Sequence, residues 1–292
     1  MSIKSEYELY KKQQRALSEK KTGRFWINQE DRYVKPFQIY GNLYYVGDSW
    51  VCTHLVDTGQ GLLMFDAGNC GAEAMLIQSI WEVGFHPADV KWIVLSHGHV
   101  DHFGAANFFK RMFGTKIYMG APDARMFRER PELSMIQESG NCMDTLFDVD
   151  VEIQDGDEMI FGNTKVQFRL VPGHTEGCIA CFFDVKHGKE SKRVGYYGGF
   201  GFNTLQKDFL IEIGDTDFKA REAYLSSLEK VRDEKVELFM GNHTANVDLL
   251  QKREYMLEHP GENPFVDSGA WKRYLDGKRE ELLKLRKDPK QN

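Results

Sequence analysis

His97-Gly98-His99-Val100-Asp101-His102 brings three imidazoles and one carboxylate into six consecutive positions. Neither the helical nor the strand period aims all four side chains the same way, so the segment reads as a turn whose side chains converge. Neutral imidazoles with a carboxylate form a donor set that suits zinc. The plain alternative is a solvated His-rich loop, or a helix start capped by Asp101. The flanks favour the metal reading. Lys91-Trp92-Ile93-Val94-Leu95-Ser96 is a short apolar run typical of a buried strand, and Phe103 to Lys110 reads as the first turns of a helix. The four groups are thus expected at the C-terminal edge of a strand, where α/β sheets form binding crevices.

One loop seldom completes a metal site, and two more histidines occur in similar settings. His174, in Val171-Pro172-Gly173-His174-Thr175, follows the strand-like Lys165–Leu170. His243, in Phe239-Met240-Gly241-Asn242-His243, follows the strand-like Val236-Glu237-Leu238. Each has a glycine close by, which lets backbone approach a site closely. Each alone also fits a hydrogen-bonded loop histidine; together with the hexapeptide they make six candidate ligands. These divide into His97, His99 and His174 for one ion and Asp101, His102 and His243 for a second. A zinc with three histidines and an open position yields hydroxide near neutral pH, and a second metal polarises the carbonyl and holds the leaving group. His54, His86, His187 and His259 lack this context and read as structural or solvated.

The hexapeptide, Pro172-Gly173-His174-Thr175 and Gly241-Asn242-His243, in this order, resemble the metallo-β-lactamase superfamily. The likeness extends to Lys35–Gly47, similar to the first strands of the third β-lactamase subclass, and to Asn263–Asp267 leading into Trp271–Leu275. It covers about residues 35 to 287. The resemblance implies an α/β fold, a four-layer αββα sandwich, and the same two ligand triads holding two Zn2+. It also implies that Asp66, in Asp66-Ala67-Gly68, supports a ligand histidine from behind, although the same residues read equally as a plain turn.

Two departures shape the functional expectation. Many hydrolases of the superfamily place a metal-bridging Asp after the strand that follows Gly-His-Thr; here Val194 to Phe200 carries Gly199 at that point. Asp215 lies too far along and reads as a loop or helix-start residue. Loss of the bridge is what the third subclass shows. That subclass, however, usually has serines in this loop, at positions matched by Gly199 and Gly201, and glycine offers no hydroxyl. Asn203 is then the nearest polar side chain for a substrate carboxylate, and serine restored at 201 is expected to improve β-lactam turnover. Glu176, Phe200 and Phe202 also point to a less anionic substrate.

Composition fits one globular domain. The 292 residues carry 41% hydrophobic and 13% aromatic side chains, and no Pro/Ser-rich linker divides them. The reading is a single domain over 1–292, with a helical extension at 1–34 and a hydrolase core at 35–292. A net charge of −6 argues against a nucleic-acid partner. Lys11-Lys12, Lys20-Lys21 and the Arg279–Lys290 region alternate with acids and read as solvated helix faces. Met1 to Arg24 lacks the apolar stretch of a signal peptide, and no run reaches the roughly 20 apolar residues that span a membrane. A cytoplasmic protein with no membrane partner is expected. The five cysteines, Cys52, Cys70, Cys142, Cys178 and Cys181, then stay as free thiols, with Cys178 and Cys181 in a buried strand rather than a redox motif.

Strands are expected near 37–47, 51–56, 61–66, 91–95, 115–119, 164–170, 179–184 and 193–197. Helices are expected up to about residue 24, over 72–83, after 103 and near 217–233, 246–258 and 268–287, with a helix and lid-like loop over the cleft at 121–150. The functional expectation is a dizinc hydrolase that opens a β-lactam or related cyclic amide by attack of metal-bound hydroxide, acting on a small-molecule substrate. Asp101 would ligate the second zinc and orient the nucleophile or shuttle its proton. The alternative is a lactonase or other small-molecule ester or amide hydrolase of the same fold with little β-lactamase activity. A phosphodiesterase lacks its bridging Asp and basic surface, a flavodiiron-type redox protein lacks chain for a flavin domain, and a non-catalytic module sits poorly with six intact ligands.

Overall fold

The computed structural model describes residues 2–19, 29–139 and 145–291. Lys20-Lys21 and Cys142 lie outside the described residues, as does the centre of the expected lid, 140–144. Helix α1 spans Ile3–Glu19. The first sheet then forms from β1 Phe37–Tyr40, β2 Leu43–Tyr45, β3 His54–Asp57, β4 Leu62–Phe65, β5 Val90–Val94, β6 Lys116–Gly120 and β7 Val151–Ile153, in that spatial order. The second has β8 Glu158–Phe161, β9 Thr164–Leu170, β10 Ile179–His187, β11 Glu190–Tyr197 and β12 Leu238–Gly241, again side by side in sequence order.

The strand period sorts side chains between two apolar layers. In β4, Leu63 and Phe65 enter the core between the sheets, while Leu62 and Met64 enter a second core on the outer face. That outer core is closed by α2 Glu73–Glu82, whose Met75, Leu76 and Ile80 are buried, and by α4 Ala106–Phe113 and α5 Ala121–Glu129; the one-turn α3 Val100–Phe103 precedes them. On the far side, after the short α6 Lys207–Glu212, come α7 Lys219–Val231, α8 Leu249–Glu258 and α9 Ala270–Leu285. Trp271 of α9 packs on Phe182 and Phe239, and its indole N–H donates to Val231 O at 2.8 Å. The molecule is therefore two sheets flanked by helices, the sandwich that the resemblance implies. The sheets meet through Phe65 and Phe183, whose rings stack 4.9 Å apart.

Pairing directions place the loops. Strands β4 to β7 run parallel, so their C-terminal ends share one edge. β9 and β11 each pair antiparallel with β10, and β11 runs parallel to β12, so those three also end together. Ile179 N donates to Ser96 O at 3.0 Å, joining the two sheets at this common edge. Every ligand-bearing loop leaves from it.

Several boundaries differ from expectation. The strand expected at 51–56 is His54–Asp57, because residues 48–53 turn aside to pair with 242–244. β7, β8 and α6 escaped the sequence reading: each is short, and β8 is an edge strand with exposed Ile160. The described part of the expected lid is packed rather than free, with the Phe147 ring against Phe103 and Phe127. No described helix is long and apolar enough to cross a membrane. Cys52, Cys178 and Cys181 are free and buried, and Cys70 is buried.

Because Phe65 joins the sheets where β4 hands over to Asp66, Phe65→Ala should cost about 3–5 kcal/mol. A urea unfolding midpoint within error of the parent would show that the inter-sheet stack carries little of the stability.

Candidate metal centre

The hexapeptide is half turn and half helix. His97 lies in the bend that follows β5, His99 is the N-cap in extended backbone, and Asp101 and His102 lie on the single helical turn α3. The register lets residues only one to five positions apart face two adjoining points.

At the first point, His99 Nδ1 lies 3.1 Å from His97 Nε2 and 2.9 Å from His174 Nε2. At the second, His102 Nε2 lies 3.3 Å from Asp101 Oδ2 and 3.3 Å from His243 Nε2, while His243 Nε2 and Asp101 Oδ2 are 3.5 Å apart. Ligands about 2.0–2.1 Å from a tetrahedral zinc are separated by about 3.3 Å, which both triads approach. The six residues named from the sequence thus come together in two groups.

The chemistry of the donors fits a cation as well as the spacing does. Imidazole nitrogens facing one another this closely need a proton or a metal between them. Protons are disfavoured: burial, and then the neighbouring histidines, hold His97 and His174 well below the ordinary range. Burial likewise takes His99 and His243 down to about 4. Neutral rings are what a metal requires. His102 goes the other way. Burial opposes its charge, but Asp101 and Asp66 on either side outweigh this and raise it. Asp101, despite burial, is held below the usual carboxylate range by His102.

Behind the triads, oxygen acceptors hold the rear nitrogens of four of the five histidines. His97 Nδ1 meets Ser96 Oγ at 3.0 Å, His102 Nδ1 meets Asp66 Oδ2 at 2.7 Å, and His243 Nδ1 meets Trp50 O at 3.3 Å. His174 Nδ1 has two partners, Gly201 O at 2.9 Å and Thr204 Oγ1 at 3.0 Å. Such contacts place the proton on the rear nitrogen and leave the front one free for metal.

Asp66 is the hub. Its Oδ1 accepts Ser96 N–H at 2.6 Å, and its Oδ2 accepts from Ser96 Oγ at 2.9 Å, Tyr196 OH at 2.5 Å and the His102 ring. It is fully buried, and its backbone φ of 58° lies in the left-handed region that non-glycine residues rarely adopt. A second buried carboxylate, Asp123, clamps the ligand loops to each other. It accepts from Gly98 N at 2.7 Å, Thr175 Oγ1 at 2.7 Å and Gly177 N at 2.8 Å, while burial pushes it up to about 6. His243 is steadied by Val51, bridged to it in antiparallel fashion, and by the Trp50 ring 5.4 Å away; the buried pair Arg32–Asp48, at 2.8 Å, pins that turn.

Sequence reasoning missed Ser96, Asp123, Tyr196, Thr204 and Trp50. Ser96 borders the hexapeptide and Thr204 follows the glycine loop, so both were within reach. Asp123 after Ala121-Pro122 looks like any helix-start acid, and Tyr196 like any strand residue. Asp215 is the expected helix-start residue: its carboxylate accepts Lys219 N at 2.9 Å and Ala220 N at 2.8 Å.

The glycine loop corrects one expectation. Gly199 is buried at φ 76°, and a Cβ there would lie 2.3 Å from Cys178 Sγ and 3.0 Å from His174 Cβ, so no side chain fits. Gly201 is exposed, but a Cβ would stand 2.7 Å from Asn203 Oδ1 and 3.0 Å from His174 Cε1. Serine at 201 therefore crowds a candidate ligand instead of simply adding a hydroxyl. Asn203 is exposed beside it.

Known proteins agree with this frame. Residues 51–187 match the metallo-beta-lactamase superfamily profile, and the chain carries a domain of that superfamily. BJP-1, a subclass B3 metallo-beta-lactamase of Bradyrhizobium japonicum, is 26% identical with a TM-score of 0.76, the match covering 88% of this chain and 96% of that one. FEZ-1 metallo-beta-lactamase from Legionella gormanii is 25% identical at TM-score 0.75, covering 88% and 97%. The hydroxyacylglutathione hydrolase GloC of Haemophilus influenzae is 29% identical over 154 residues, which is 51% of this chain and 68% of that protein. The chain spans only 20% of the beta-lactamase hydrolase-like protein of Agrobacterium fabrum, with 31% identity over 93 residues.

Asp66→Asn would turn an amide toward three hydrogen-bond donors at once. It should weaken zinc binding about 10- to 100-fold in competition with a chelator. Unchanged affinity would show that Asp66 serves the fold and not the metal centre.

Proposed function

We propose that this metallo-β-lactamase-fold hydrolase is a two-zinc enzyme that opens a β-lactam or related cyclic amide. The observation that carries the reading is the pair of adjoining triads, five histidines and a carboxylate with their front atoms turned to two points. His97, His99 and His174 would hold one ion, and Asp101, His102 and His243 the other. When bound, zinc supplies a water acidic enough to deprotonate near neutral pH and a Lewis acid for the substrate carbonyl.

The chain's own residues do the rest. The acceptors behind four of the five imidazoles hold those rings in one tautomer, so little reorganisation accompanies reaction. Asp101 Oδ2 is committed to the second triad, 3.3 Å from His102 Nε2. Its other oxygen is available to orient the nucleophile's hydrogen and take up a proton. The side chain is 15% exposed, enough to face a bound substrate.

A second reading, a lactonase or other ester or amide hydrolase with little β-lactamase activity, has one specific observation in its favour. Gly199 and Gly201 supply no hydroxyl for a substrate carboxylate. A hydrogen bond to a charged group is worth about 1.5–3 kcal/mol, so its loss lowers kcat/KM roughly ten- to a hundredfold.

Zinc-loaded protein should therefore hydrolyse penicillins and carbapenems detectably but inefficiently, beside a matched lactone panel. Lactone turnover without any β-lactam turnover would move the assignment to the second reading. Asp101→Asn should fold normally and lose about 10²–10⁴-fold in rate on whichever substrate is turned over. A near-parental rate would remove Asp101 from the mechanism.

A further inference from the structure

Beside the first triad a cleft of about 570 Å³ runs away from His99 and His174, between α5 and the start of α7. That volume lies within the roughly 300–1,000 Å³ typical of small-molecule sites. Its walls include Met126, Leu133, Phe209, Ile213, Ala220 and Ala223. These come from three separate stretches of chain, so the apolar lining is a built surface and not the stripe of one helix. His99 and His174 form part of the same wall, so the cleft borders the first triad.

Charge narrows what it accepts. Three cations line it, Arg125, Arg130 and Lys219, against four acids, Asp123, Glu129, Glu176 and Asp215. Each cation already faces an acid: Arg125 meets Glu176 at 3.7 Å, Arg130 meets Glu132 at 2.6 Å and Lys219 meets Asp217 at 3.5 Å. An anionic group entering here would meet no excess of cations, each of which already has an acid beside it. An uncharged apolar group displaces only water from Leu, Met, Phe and Ile surface.

Resting on the hydrolase reading above, we propose that this cleft receives an uncharged, apolar arm of the substrate while the scissile carbonyl lies at the triads. The substrate class is thereby an amide or ester with a hydrocarbon arm, and the apolar residues of the cleft determine specificity.

The test separates the arm from the chemistry. Zinc-loaded protein is titrated calorimetrically with octanamide, butanamide and suberic acid monoamide, which matches octanamide in length but ends in a carboxylate. Octanamide should bind at least tenfold tighter than either, and Ala223→Trp, which fills the cleft, should erase that advantage. Leu133→Glu, which puts a charge into the cleft at nearly constant side-chain volume, should do the same if the first variant folds poorly. Equal binding of the three amides, or an advantage that survives both variants, overturns the assignment. In parallel, p-nitrophenyl octanoate and acetate are compared for zinc-dependent hydrolysis. Arm-selective binding without hydrolysis would support the cleft assignment while removing the hydrolase reading. Hydrolysis with no preference for the longer arm, together with equal binding, would leave the hydrolase reading and remove the cleft assignment.

Discussion

The carboxylate of Asp66 is the constraint on which the site depends. It sits fully buried at the end of β4, on strained backbone, and collects hydrogen bonds from the β5 loop, from α3 and from β11. Tyr196 reaches it from the second sheet, so one anion ties both halves of the sandwich to both ligand triads. A buried carboxylate costs free energy unless its lone pairs are engaged, and here four donors engage them. The arrangement links the two sheets at their common edge. It also backs the hexapeptide at both candidate metal points, through Ser96 behind His97 and directly behind His102 on α3.

Much of this was legible in the sequence because the chemistry is local. Four polar donors within His97 to His102 suited a convergent turn better than a surface helix, and His174 and His243 each followed a strand and lay near a glycine, so the cluster of six candidate residues could be assembled without coordinates. The unbroken apolar run Leu62-Leu63-Met64-Phe65 likewise marked a strand buried on both faces, although only the fold shows which residues enter which core. What escaped was non-local. Asp123 clamps Gly98 to Thr175 and Gly177 across long sequence separations, and Tyr196 reaches back 130 positions to Asp66. Nothing in the residues around Asp123 or Tyr196 signals those partners.

The glycine loop shows where an inference from the family pattern needed the structure. The sequence reading treats Gly199 and Gly201 as hydroxyls lost from a substrate pocket. In the fold, Gly199 is where the chain passes against Cys178 and His174, and Gly201 offers its carbonyl to the rear of His174. Backbone at 201, with Thr204, orients a candidate ligand. On the proposed reading, recognition of the substrate then falls to the apolar cleft that His174 and Thr204 border, whose cations each have an acid beside them. The two observations point the same way, toward a substrate less anionic than the family name suggests.

The central claim is that six side chains hold two zinc ions. Zinc-soaked crystals, with anomalous diffraction collected on both sides of the zinc absorption edge, test it most directly. The account predicts two peaks, one bounded by His97, His99 and His174 and the other by Asp101, His102 and His243. A single peak under zinc-replete conditions, or density shared across all six side chains at one position, would contradict it.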